Sequence, residues 1–156
     1  METTIRDVIR TTGRTIVHSV TPDSTVMQAL NLMAEHNIGA VLVMESSGAL
    51  AGVFSERDFA RAAARGGGVA GETPVRDLMT AELYTVRPEQ TVQECMLFVT
   101  ERRVRHLPVT DDEGRLVGLV SIGDLVKAAI AEKEYLIAEK QALISRLQDY
   151  ISGTIV

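Results

Sequence analysis

Aliphatic residues follow two alternating spacings along the chain. Val26, Leu30 and Met33, and again Val92, Met96 and Val99, stand three and four positions apart, which places them on one face of a helix. Apolar runs over 40–44, 49–54, 107–110 and 116–120 are too short for helices and read as buried strands. Glu45-Ser46-Ser47-Gly48 and Asp111-Asp112-Glu113-Gly114 separate them, each with a glycine where a hairpin calls for positive φ. Extended segments at 15–20 and 83–86 run into Pro22 and Pro88, which open turns. Ser24 or Thr25, and Thr91, are the candidate caps of the helices that follow. A second helix opens at Ser55 and again at Ser121, and Gly66-Gly67-Gly68 ends the first of these and leads towards Thr73-Pro74.

These signals recur because the unit is duplicated. With an offset of 66, Val20, Pro22, Thr25, Val26, Glu35, Val43, Gly48, Leu50, Gly52, Ser55 and Asp58 meet identical residues, 11 of the 39 positions from 20 to 58. Similar lead-ins, Ile5-Arg6-Asp7-Val8 and Val75-Arg76-Asp77-Leu78, precede each copy. The pattern predicts an α/β chain of two tandem β-α-β-β-α units at 5–66 and 75–130, joined by a linker at 67–74 and followed by a helical extension at 131–156. A sheet of about three short strands cannot bury its own face, so the two units are expected to pack sheet to sheet about a pseudo-two-fold axis.

The extension carries its own pattern. A helix over 122–151 would be 30 residues and about 45 Å long. Ile130, Ile137, Ile144 and Ile151 recur every seven residues beside Leu136, Leu143, Leu147 and Tyr150, with Glu132, Lys133, Glu134, Glu139, Lys140 and Arg146 on the other face. Its distal half must fold back on the module or meet a partner, and a homodimer contact is expected.

Composition narrows the function. A net charge of −5 and an aromatic content of 4% argue against nucleic-acid binding, even through Arg102, Arg103 and Arg105. With no Trp the core must be aliphatic, and the lone Cys95, beside Met96, Leu97 and Phe98, reads as a buried structural thiol. No signal-peptide pattern or membrane-length apolar run is present, so the expected location is the cytoplasm. Phosphate-binding, metal-binding and nucleophile-elbow motifs are missing, which argues against an enzyme; His18 and His36 are assigned no role.

The remaining chemistry lies in two Ser-x-x-Asp turns, Ser55-Glu56-Arg57-Asp58 and Ser121-Ile122-Gly123-Asp124, each straight after a buried strand. Serine capping the helix with aspartate at its third residue explains the spacing on structural grounds alone. A first-turn carboxylate can also accept hydrogen bonds from a ribose diol, beside N–H groups that face an anion.

Together with Arg105-His106-Leu107-Pro108-Val109, these stretches resemble the cystathionine β-synthase (CBS) domain in tandem, over roughly residues 5–130. The resemblance implies a Bateman module, whose inter-repeat clefts bind adenosine-containing ligands such as AMP, ATP, NAD or S-adenosylmethionine. It implies that Asp58 and Asp124 hold ribose with Ser55 and Ser121 beside them, and that Val17, Leu83, Thr15 and Thr80 lie about the adenine. Arg57 stands against Gly123 and Arg105-His106 against Gly39-Ala40 at the phosphate end, so unequal sites are expected. The expected function is a sensor that needs no resident cofactor and signals through a downstream protein. The alternative is an oligomerisation scaffold with vestigial sites.

Overall fold

The computed structural model describes residues 2–13, 17–66 and 71–153. Its elements run α1 (Ile5–Thr12), β1 (Ser19–Val20), α2 (Val26–His36), β2 (Ala40–Met44), β3 (Leu50–Ser55), α3 (Glu56–Ala64), a 3-10 turn (Val75–Asp77), α4 (Val92–Arg102), β4 (His106–Thr110), β5 (Leu116–Ser121) and α5 (Ile122–Ile151). Among the described residues all five α-helices open with a reciprocal cap: Thr4 with Asp7, Thr25 with Gln28, Ser55 with Asp58, Thr91 with Glu94, and Ser121 with Asp124. Of the two candidates before α2, Thr25 is the cap; Ser24 instead accepts from the Thr21 N–H.

β1 pairs parallel to β2 and β2 antiparallel to β3, while β4 and β5 form an antiparallel pair. The strand expected at 83–86 does not form; one parallel bridge, Val86 to Val109, is what remains of it. Pro108 supplies the reason. In the first repeat the Leu42 N–H donates to the His18 carbonyl at 3.1 Å. Pro108 holds the equivalent place 66 residues on and has no N–H, so the rung cannot be made.

The two lead-ins exchange places. Ile5, Val8 and Ile9 of α1 are buried in the core of the second repeat with Val92, Cys95, Val99, Leu107 and Leu125. Val75 is buried in the first repeat's core with Val26, Met33, Val41 and Phe54. The hydrogen bonds match: the Ile5 N–H donates to the Gln90 carbonyl at 2.8 Å, and the Val75 N–H to the Ser24 carbonyl at 2.8 Å. The ion pairs Arg6–Glu89 and Arg76–Asp23 stand beside these bonds. A third cluster joins the units as expected, Ala40, Leu42 and Val53 packing with Val17, Leu50, Leu83, Leu116 and Leu119. Gly52 is needed there, because a Cβ would lie 2.8 Å from the Thr80 carbonyl oxygen that crosses β3.

α5 has the expected 30 residues. Leu125 is buried, and Ala128 and Ala129 pack on the second core. The stripe beyond does not fold back: Ile137 and Ile144 are each 54% exposed and Ile151 82%. No helix among the described residues is long and apolar enough to cross a membrane.

Candidate functional site: two inter-repeat clefts

The ends of the two hairpins place the Ser-x-x-Asp turns. Ala40 pairs with Ser55 and His106 with Ser121, so each serine leaves its strand at the boundary between units and caps the next helix. Each turn then faces residues of the opposite repeat. The Asp58 cleft, of about 150 Å³, combines Val53, Ser55, Arg57, Asp58 and Arg61 with Thr80, Glu82, Leu83, Tyr84 and residues 103–106. The Asp124 cleft, of about 220 Å³, combines Leu119, Ser121, Asp124 and His106 with Val17, His18 and residues 37–40. An offset of 66 relates Val17 to Leu83, His18 to Tyr84, 37–40 to 103–106, and Asp58 to Asp124. These are two copies of one site.

The local hydrogen bonds show what the aspartates already do. Asp58 Oδ2 accepts from the Ser55 N–H at 2.9 Å and the Ser55 hydroxyl at 3.0 Å, while Oδ1 accepts from the Thr80 hydroxyl at 3.1 Å. Asp124 Oδ2 accepts from the Ser121 N–H at 2.9 Å, and its residue is only 6% exposed. The capping role is therefore realised in both copies. A carboxylate offers about four lone-pair positions, so Asp58 keeps room for one further donor such as a ribose hydroxyl.

Sequence-selected residues gather as follows. Ser55, Arg57, Asp58, Thr80, Leu83, Arg105 and His106 share the Asp58 cleft; Ser121, Asp124, Val17 and, again, His106 share the other. Thr15 lies outside the described residues. Sequence comparison of the repeats set Arg57 and Arg105 on different copies, yet the structure brings both to one cleft. Arg61, Glu82, Tyr84 and Arg103 were not singled out there, nor His18, Asn37 and Ile38 in the Asp124 cleft. Arg61 was signalled by its place one helical turn after Arg57, and Asn37 to Ala40 by their register with Arg103 to His106.

The electrostatics differ between the copies. Four arginines line the Asp58 cleft, while no Arg or Lys among the described residues lines the Asp124 cleft. In the latter His18 stacks on His36, ring centroids 3.7 Å apart. In the former Tyr84 meets Phe98 edge-on at 5.5 Å and lies under the Arg102 guanidinium at 5.2 Å.

Comparison with known proteins places the two repeats in one family. The family model of the CBS domain matches twice, at residues 5–65 and 75–131. The chain is 39% identical to the mitochondrial CBS domain-containing protein CBSX3 of Arabidopsis thaliana, over 97% of this chain and 73% of that protein. A solved CBS-domain containing protein from Agrobacterium tumefaciens superposes with a TM-score of 0.76 at 36% identity, covering 83% of this chain and 95% of that one. A structure of CBSX2 in complex with AMP superposes with a TM-score of 0.65 at 27% identity, covering 84% and 98%.

Proposed function

The chain belongs to the CBS-domain family, and from that premise we propose that it is a non-catalytic cytoplasmic regulator that binds adenosine-containing ligands in both inter-repeat clefts. The observation that carries this reading is the crossing of each Ser-x-x-Asp turn to the opposite repeat. A ligand held there touches both units at once, so its binding free energy acts on their relative packing. In each cleft the aspartate and serine take the ribose, while Val17 in one and Leu83 in the other supply apolar surface for the base. AMP, ATP and NAD are the candidate ligands; the similar CBSX2, solved with AMP, supports that class. The bound state passes to a downstream protein, and the exposed stripe of α5 joins two copies of the chain in a homodimer.

Calorimetry with AMP, ATP and NAD tests the reading. The wild type binds at least one of them, and the double variant Asp58→Ala/Asp124→Ala binds it roughly tenfold or more weakly, the loss of one charge-assisted hydrogen bond. A wild type that binds none of the three leaves an oligomerisation scaffold as the function.

A further inference from the structure

α5 runs unbroken from Ile122 to Ile151, and one edge of it carries a seam in alternating steps of four and three residues. Ile130, Ile137, Ile144 and Ile151 alternate there with Val126, Lys133, Lys140 and Leu147. Both lysines, expected on the charged face, each follow one isoleucine by three residues and precede the next by four. In a continuous helix that spacing puts them on the seam. The seam starts on the docked part of α5, where Leu125 is buried while Val126 and Ile130 are exposed. A helix cannot lie on its own seam, so the occupant is another helix.

Resting on the homodimer proposed above, we infer that two copies of the chain pair along α5 antiparallel, in one register fixed by Lys133 and Lys140. A parallel pair would set each lysine against its own copy, placing like charges face to face twice within the apolar seam. Run antiparallel, the seam is complementary to itself over its whole length. Val126 lies beside Ile151 of the second copy, Ile130 beside its Leu147, Lys133 beside its Ile144, and Ile137 beside its Lys140. Every lysine meets an isoleucine and never a lysine. The same register sets Leu136 beside Leu143 of the second copy, which widens the apolar contact on one flank. On the other flank the Lys140 stem lies along Ile137 of the second copy and its ammonium reaches towards Glu134 of that copy. Each pairing occurs twice about a two-fold axis, as a closed dimer requires. The two sensor modules then stand at opposite ends of a shared helix pair.

Disulfide trapping on the full-length chain tests the direction. Lys133→Cys/Ile144→Cys should oxidise readily to a covalent dimer, since the two positions face each other across the antiparallel seam. Lys133→Cys and Ile144→Cys alone should not cross-link, because each then faces a residue without a thiol. Within one helix the two positions are about 16 Å apart, too far for a disulfide inside the chain. The wild type, whose Cys95 is buried, is the control, and circular dichroism checks that each variant is folded. Covalent dimer from either single variant would make the pair parallel and overturn the assignment, leaving the homodimer in place. A dimer in sedimentation that none of the three variants traps would place the contact elsewhere and overturn it as well. A wild-type chain that sediments as a monomer overturns the homodimer and this assignment together, and leaves ligand binding to its own calorimetry.

Discussion

Asp58 already accepts from the Ser55 N–H, the Ser55 hydroxyl and the Thr80 hydroxyl, so its helix-capping and ligand-holding roles draw on one carboxylate. Conservative substitution separates them. Asp58→Asn keeps a carbonyl oxygen for the Ser55 N–H but turns an amide donor towards the cleft. Without ligand it should melt close to wild type, losing about 0.3–1 kcal/mol of first-turn charge stabilisation. Its ligand-induced rise in Tm should nonetheless fall sharply, because one lost charge-assisted bond is worth about 1.5–3 kcal/mol. Paired melts with and without AMP read both quantities, and an undiminished ligand shift in Asp58→Asn would make the carboxylate a cap only. The aspartates and serines were legible in the sequence because duplication repeats them at a fixed offset. The convergence of Arg57 with Arg103 and Arg105 was not, since these residues lie more than forty positions apart and meet only when the repeats pack.

Among the elements, the hairpins and the long helix were legible because glycine turns and apolar spacing are local signals. The missing strand at 83–86 came from a side chain on its neighbour: Pro108 reads as β4 in isolation and acts by withholding an N–H from the adjacent segment. α1 was seen only as a lead-in, although Ile5, Val8 and Ile9 have helical spacing and Thr4 with Asp7 forms its cap. α5 divides into a docked first part and an exposed distal part, which makes a clean cut available. Ending the chain after Glu134 keeps Leu125, Ala128 and Ala129 and removes Ile137, Ile144 and Ile151. The shortened chain should keep its response to AMP and sediment as a monomer where the full chain sediments as a dimer. Equal association by both chains in analytical ultracentrifugation would place the dimer contact elsewhere.

At the scale of the whole molecule, Cys95 reports on integrity. It is fully buried in the second core, and burial pushes its thiol up to about 11, with Glu94 adding to the effect. The thiolate is the reactive form, so the folded protein holds very little of it at neutral pH. Modification by a maleimide should therefore follow unfolding and slow further when ligand is added; rapid labelling of the folded chain would show that the second core opens locally. That core depends on α1, and the first core depends on the segment around Val75. The exchange gives synthesis a direction. Ile5, Val8 and Ile9 leave the ribosome well before the strands and helix that cover them, which follow about a hundred residues later, roughly 5–20 seconds at ordinary elongation rates. For that interval the nascent chain carries an apolar helix with nothing to sit on, a handle for chaperones and a hazard for neighbouring chains. The first repeat closes as soon as Val75 emerges, whereas α1, made before either repeat, waits for the second to find its place.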